Sequence, residues 1–235
     1  MKSRQLLLLL LIFSIITSQV GCGLSGTAPT AVQTAAPTSS PTNASESLPA
    51  MKISGDAISP DGGTTLADAK KLVSAYLRKT GTQGDIEKTI KVKEITTKEI
   101  WANNEIQLFS VSLDYAWIYA GFAVVKGGKV LSFLSGMPVF GRYIADLDGD
   151  KIYEIYTNFM FGSGIVTTDV GGYNPATNKT YSLSGRFKGN NGMSINYNLE
   201  IKDKKLMIYS TAGKSGELVI VQKNGYAGIA LLDDE

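Results

Sequence analysis

The residues with the clearest capacity for chemistry form an acidic stretch at 146–154, which reads DLDGDKIYE. Its carboxylates fall at relative positions 1, 3, 5 and 9, and in a looped backbone this alternation turns the first three acids toward one point. Position 7 can add a backbone carbonyl, and the acid at position 9 can close the shell. Hard oxygen ligands in this number suit Ca²⁺ at about 2.3–2.6 Å. The predicted metal ligands are therefore Asp146, Asp148, Asp150, the carbonyl of Ile152, and Glu154.

A second argument for a cation is electrostatic. Four neighbouring acids without a counter-charge repel one another, and a bound cation removes that repulsion. We expect such an ion to stabilise the loop rather than to take part in catalysis. The alternative interpretation of 146–154 is an acidic hairpin turn that is solvated and free of metal.

The acidic stretch also resembles a known type of calcium loop. Its four acids match the D-x-D-G-D-x-x-x-[DE] loops of integrin-type FG-GAP repeats and related extracellular bacterial β-domains. The resemblance implies that the loop joins two strands, here around 142–145 and 153–156. Position 6 of these loops is usually a Gly with positive φ, whereas this chain has Lys151 there. The full 12-residue pattern of an EF-hand is absent.

The composition excludes several classes of function. The chain has 235 residues with one Cys and no His, so it has no Ser-His or Cys-His pair and no His-ligated zinc. One Cys cannot form an intrachain disulfide. The 23 basic residues include Lys2 and Arg4, and losing these two with a signal peptide leaves 21 of each sign. A zero balance argues against a nucleic-acid-binding protein.

The N-terminus predicts export. A positive head is followed at 6–16 by an apolar run of about 11 residues, and a polar Thr-Ser-Gln sequence then ends it. This pattern fits a signal peptide at 1–21. A membrane-spanning helix would need roughly 20 apolar residues.

The end of the signal, Gln19-Val20-Gly21-Cys22, resembles the lipobox of bacterial lipoproteins. In that family a small residue precedes an invariant Cys, which is lipidated and becomes the new N-terminus. Gln19 departs from the family, which usually has Leu or another aliphatic residue there. The resemblance implies a covalent diacylglycerol and acyl lipid on Cys22, which anchors the protein to the extracytoplasmic face of a bacterial cell membrane. The alternative is an ordinary secretory signal followed by a chance Cys.

A change of composition predicts the domain organisation. Residues 23–50 are mainly Ser, Thr, Ala, Pro and Gly, and they have too little apolar area to order themselves. A turn cluster follows at 59–63. We therefore predict a lipidated Cys and disordered tether at 22–63 and a single β-rich domain at 64–235.

The pattern within this domain predicts its fold class. Thr65 to Asp68 resembles a capping box, and an apolar stripe follows, which predicts one helix at 65–80. After the helix the apolar period changes to two, with turn residues every 8–12 residues or so. The sequence KGGK at 126–129 predicts a two-residue hairpin. The predicted class is mainly β, an antiparallel β-sandwich or small barrel with one packed N-terminal helix.

These features favour a non-enzymatic envelope lipoprotein whose domain binds or scaffolds an unidentified envelope protein or glycan. One alternative is a carbohydrate-binding module that uses Trp117 with the neighbouring Tyr115 and Tyr119, although a half-buried strand explains the same aromatic row as core. Another alternative is a hydrolase that uses paired carboxylates. Its candidate residues are Asp114, Asp148 and Glu154.

Overall fold

The fold consists mainly of antiparallel strands. The computed structural model describes residues 47–54, 56–114, 116–162, 167–183, 195–223 and 226–232, with side chains for all of these except 116–119, 222–223 and 226–227. Contacts group the chain into two units, Met1–Pro41 and Thr42–Glu235, and all described residues lie in the second.

The helices among the described residues are α1 (Leu66–Lys79), α2 (Ile86–Thr89) and α3 (Lys98–Asn104). The strands are β1 (Met51–Lys52), β2 (Ile90–Glu94), β3 (Gln107–Leu113), β4 (Ala116–Lys126), β5 (Lys129–Gly136), β6 (Val139–Ala145), β7 (Glu154–Phe161), β8 (Thr167–Asn174), β9 (Lys179–Ser182), β10 (Tyr197–Lys202), β11 (Lys205–Ser210), β12 (Ser215–Lys223) and β13 (Tyr226–Leu232).

The central sheet has the strand order β1-β6-β7-β8-β9. Successive side chains of a strand point to opposite faces, and both Ile155 and Tyr156 of β7 are 0% exposed. The sheet is therefore covered on both faces. Even the polar residues Glu154, Thr157 and Asn158 of β7 are buried, so the strand has no solvent-exposed polar face.

The helix-side sheet, with the order β2-β3-β4-β5, covers one face of the central sheet. Leu108, Phe122 and Val124 pack with Ile144 and Ile155 of the central sheet. The neighbouring residues of β3 and β4 point the other way and pack against α1. The residues in this second contact include Phe109, Val111, Val125, Ala69, Val73 and Leu77.

The C-terminal sheet, with the order β10-β11-β12-β13, covers the other face of the central sheet. Tyr143 and Tyr156 lie in one apolar cluster with Leu199 and Ile208. Polar contacts align the two sheets, since the Tyr143 hydroxyl donates to the carbonyl of Leu199 at 2.7 Å. Asn158, which is buried in β7, accepts from the Leu199 N–H at 3.2 Å.

The predicted fold class is confirmed as mainly β with a sandwich-like arrangement of antiparallel sheets. The alternative of a small barrel is wrong for the described residues, where three sheets stack and none closes on itself. The described residues also contain three helices where one was predicted. α2 and α3 have four and seven residues, which is too short for an apolar stripe to repeat.

The local signals for α1 and for the hairpin are confirmed. Thr65 is the N-cap of α1, and its hydroxyl oxygen accepts from the Asp68 N–H at 3.2 Å. Lys126 pairs with Lys129 across a two-residue turn. Gly127 and Gly128 have φ of +54° and +71°, the positive values that a type I′ turn requires.

Part of the segment that the composition assigns to the tether belongs to the folded domain. Residues 47–54 lie within the predicted tether at 22–63, yet Met51 and Lys52 form β1 and pair with Ile144 and Tyr143 of β6. Ile53 is buried, and its N–H donates to the Arg142 carbonyl at 2.9 Å. A two-residue strand beside a Ser- and Pro-rich segment leaves no periodic signal in the sequence.

Packing on both faces of the central sheet predicts a large cost for shortening Ile155. We expect Ile155→Ala to lower the free energy of unfolding by about 2–5 kcal/mol, because the lost methyl groups leave a cavity between two sheets. The control is Leu232→Ala, at a residue that is 51% exposed, for which we expect a change within about 0.5 kcal/mol. Urea denaturation of both variants measures the difference. Equal stability of the two variants would contradict the layer arrangement.

Candidate metal centre

The acidic loop, defined as residues 146–153, joins β6 to β7 at one edge of the central sheet. The structure brings together the four predicted carboxylates, and each contributes an oxygen within 4.8 Å of the others. Asp146 and Glu154 are buried, whereas Asp148 and Asp150 are exposed. Ile152, the predicted carbonyl ligand, lies in the same loop, where its N–H donates to Asp150 Oδ1 at 2.8 Å. These four carboxylates, Asp146, Asp148, Asp150 and Glu154, are called the acidic cluster, and together they are able to hold a metal ion.

Asp146 is the most constrained of these acids. It is 3% exposed, and its Oδ2 accepts from the N–H groups of Leu48 at 3.0 Å and Lys151 at 3.3 Å. Its Oδ1 is buried and has no hydrogen-bond partner in the part of the chain that the structure describes. A buried carboxylate oxygen without a partner is costly. A cation at the centre of the cluster would compensate it.

Glu154 is held by residues of three different segments. Its Oε2 accepts from the Leu147 N–H at 2.8 Å and from the Tyr156 hydroxyl at 3.2 Å. Its Oε1 accepts from Asn174 Nδ2 at 3.2 Å. Asn174 also donates to Asp148 Oδ2 at 3.1 Å, so one amide links two of the four acids.

Without an ion, the surroundings of Glu154 and Asp150 favour the protonated form of each carboxyl group. Burial raises the pKa of Glu154 to about 8, the Asp148 carboxylate acts in the same direction, and the N–H of Leu147 opposes them. Burial also raises the pKa of Asp150, with further contributions from Asp148 and Asp146. A cation would replace the proton as the compensating charge.

Two residues of the acidic loop have a left-handed backbone conformation, in which φ is positive. Gly149 has φ +74° and Lys151 has φ +70°. The positive φ that the calcium-loop resemblance implies at position 6 is confirmed, although a Lys occupies it. A residue with a Cβ pays roughly 1–2 kcal/mol in this region, so the rest of the loop must hold Lys151 there.

Helix α3 supplies part of that restraint. Asn103 Nδ2 donates to the Lys151 carbonyl at 2.8 Å, and Asn103 Oδ1 accepts from the Tyr153 N–H at 2.8 Å. Asn104 Nδ2 donates to the Tyr153 carbonyl at 2.8 Å. The last two residues of α3 therefore hold the side of the acidic loop that leads into β7.

Sequence reasoning missed three of these positioning residues. Asn103 and Asn104 carry no motif, and Asn174 precedes Pro175, which indicates only a turn. Their function follows from contacts across 20 to 50 positions of chain. The hydrogen-bonding capacity of an asparagine is visible in the sequence, but its partners are not.

Several predicted residues lie elsewhere. Of the acids considered for hydrolysis, Asp148 and Glu154 are in the cluster, whereas Asp114 pairs with Lys91 at 2.6 Å on the helix-side sheet. The lipidation residue Cys22 and the aromatic Tyr115 lie outside the described residues, as do the side chains of Trp117 and Tyr119. No helix among the described residues is long and apolar enough to cross a membrane.

Comparison with known proteins gives no relative for this chain. No protein-family model, no curated protein and no solved structure matches it significantly.

The raised pKa of Glu154 predicts how the stability of the ion-free protein depends on pH. Folded Glu154 keeps its proton up to about pH 8, whereas the unfolded residue loses it near 4.5. At this residue the folded state therefore binds more protons in this window, so the contribution of Glu154 to the free energy of unfolding falls as the pH rises from 4.5 to 8. Urea denaturation in EGTA should show this slope, and Glu154→Gln should reduce it. A stability that rises over the same window in EGTA would contradict the assignment.

Proposed function

We propose that this protein is a lipid-anchored lipoprotein on the extracytoplasmic face of a bacterial membrane, and that calcium stabilises its β-domain. The domain binds or scaffolds a component of the cell envelope and is not an enzyme. The observation that carries the calcium assignment is the buried Oδ1 of Asp146, which has no partner among the described residues and belongs to a cluster of four carboxylates.

The donor set supports calcium over other metals. The cluster offers oxygen ligands only, which suits Ca²⁺ or Mg²⁺ and disfavours metals that prefer nitrogen or sulfur. Ca²⁺ accepts six to eight oxygens in flexible geometry, so four carboxylates, the Ile152 carbonyl and water are enough ligands. Mg²⁺ requires near-ideal octahedral geometry and retains several waters. An irregular loop with carboxylates at positions 1, 3, 5 and 9 fits Ca²⁺ better, because Ca²⁺ tolerates a less regular coordination geometry.

The position of the cluster supports a stabilising function for the ion. Asp146 joins the acidic loop to Leu48, and Glu154 joins it to Asn174 of β8. An ion at the centre would therefore cross-link the N-terminal segment, the loop and the central sheet. The same carboxylates would be occupied as ligands, which leaves them unsuited to acid–base hydrolysis.

Calcium should stabilise the folded chain. We expect the melting temperature of the full-length protein to rise when EGTA is replaced by millimolar Ca²⁺, because an ion that binds only the folded state stabilises it by about 2.7 kcal/mol at 100 times its Kd. Asp148→Asn removes an exposed ligand and should abolish most of the rise. Differential scanning calorimetry measures it.

The matched control for this substitution is Asp203→Asn, which makes the same charge change in the turn between β10 and β11. Asp203 has φ +51°, a conformation that Asn tolerates well. This variant should keep the full response to calcium. An equal response in wild type and Asp148→Asn would exclude the cluster as the calcium site.

The lipid anchor makes a separate prediction. Expressed in a bacterium with lipoprotein processing, the wild-type chain should incorporate labelled palmitate, and Cys22→Ala should not. Gln19→Leu brings the lipobox resemblance closer to the family pattern, so it should preserve or increase labelling. Labelling that persists in Cys22→Ala would contradict the assignment of this residue.

A further inference from the structure

A cleft of about 840 Å³ lies beside the N-terminus of α1, the C-terminus of α3 and the hairpin between β4 and β5. Its volume is in the range of small-molecule sites. The acidic cluster does not contribute to its lining. Among the lining residues, Trp101 supplies the aromatic surface, and it is only partly buried.

One wall of the cleft is held in place by a buried amide. Gln107 is 3% exposed, and its Nε2 donates to the Thr64 carbonyl at 3.1 Å and to Glu94 Oε1 at 2.9 Å. Its Oε1 accepts from the Thr64 N–H. Gly63 lies so close that an added Cβ would come within 2.9 Å of Gln107 Nε2. The cleft is therefore formed without a ligand, which lowers the entropy cost of binding.

The charges of the cleft favour a ligand without net charge. Lys71 pairs with Asp68 at 3.4 Å, and Lys126 lies 4.0 Å from Glu105. Lys126 Nζ also donates to the Asn104 carbonyl at 2.9 Å. Two cations and two anions thus compensate each other, and an ionic ligand would have to compete with an existing partner. A hydroxyl group can accept from these ammonium groups and donate to these carboxylates without displacing the pairs.

Three exposed glycines add side-chain-free backbone to the lining of the cleft. Gly62, Gly127 and Gly128 line the cleft, and a Cβ added to any of them would meet nothing within 4 Å. All three have positive φ, so glycine is the favoured residue there. The space beside each of these exposed glycines is open, so a ligand can approach the backbone there. The cleft thus combines a partly exposed indole with paired charges and accessible peptide groups.

We propose that this cleft binds a neutral oligosaccharide. The face of an indole ring carries partial negative charge and attracts the partially positive C–H groups on the flat side of a pyranose. The sugar hydroxyls suit the paired charges and the glycine backbone. The inference rests on the proposed function in that it names the ligand class of a non-enzymatic binding domain, and it assigns Trp101 where the sequence alone pointed to Trp117.

The test is isothermal titration of the full-length protein, in a detergent without a sugar head group, with cellopentaose, xylopentaose, laminaripentaose and chitopentaose. Anionic polygalacturonate is titrated for comparison. We expect saturable binding of at least one of these neutral sugars. Trp101→Ala should weaken it about 10-fold or more, as truncation of an aromatic anchor does in other interfaces. Trp101→Phe keeps a smaller ring and should retain part of the affinity. Calorimetric melting of each variant verifies that it is folded.

The chain has two tryptophans, which provide a matched control. Trp117→Phe leaves Trp101 as the only indole, and its fluorescence should change saturably with the sugar that binds. In Trp101→Phe the remaining indole fluorescence should stay constant. The proposal is overturned if none of the four sugars binds, if the folded Trp101→Ala variant binds as tightly as wild type, or if only anionic polygalacturonate binds.

Each titration is performed both in EGTA and in Ca²⁺, because Trp101 and the loop-binding Asn103 share helix α3. Sugar binding without any calcium-induced rise in melting temperature supports the cleft and contradicts the cation site. A calcium-induced rise in melting temperature without sugar binding supports the cation site and contradicts the cleft. The failure of one assignment is therefore distinguishable from the failure of the other.

Discussion

The structure around the acidic loop depends on the interactions of the buried Asp146 carboxylate. One of its oxygens accepts from the N–H groups of Leu48 and Lys151, while the other is buried without a partner in the described chain. A buried carboxylate oxygen without a partner is costly, and a bound cation would compensate that cost. Each of the other three acids places an oxygen within 4.8 Å of an oxygen of Asp146, where such a cation would bind.

The central sheet explains why the loop must be held so firmly. Its strands are packed on both faces, and β6 and β7 pair without interruption from Ala145 and Glu154 to Gly141 and Asn158. Flexibility in the loop that connects them would be transmitted to two apolar clusters. Three segments restrain the loop, namely 47–53 through Leu48, α3 through Asn103, and β8 through Asn174. We infer that an ion in the cluster completes this restraint.

The sequence predicts local features of this protein better than its long-range contacts. The N-cap at Thr65, the glycine pair at 127–128 and the spacing of the acids each depend on a few neighbouring residues, and the structure has all three. The reciprocal bond of a full capping box is replaced by a bond from the Thr65 hydroxyl to Asp68 Oδ2. The contact of Leu48 with Asp146 spans 98 positions, and the contact of Asn103 with Lys151 spans 48. No periodicity or spacing encodes such pairs.

The prediction of the barrel alternative failed for the same reason. Strand lengths and turn spacing are compatible with one closed sheet or with several stacked sheets, and only the pairing of distant strands decides between them. Apolar residues in succession on β7 do indicate a strand buried on both faces, but a short run of this kind is ambiguous by itself. The stacking of three sheets therefore required the structure.

Hydrogen–deuterium exchange of the full-length protein, measured by mass spectrometry in EGTA and in Ca²⁺, tests the central claim most directly. If one ion joins these segments, calcium should slow exchange in residues 47–53, 98–104 and 146–154 together, while the hairpin at 126–129 stays unchanged. Slower exchange confined to 146–154 would contradict the cross-linking function of the ion. Unchanged exchange in all of these segments would contradict the cation site itself.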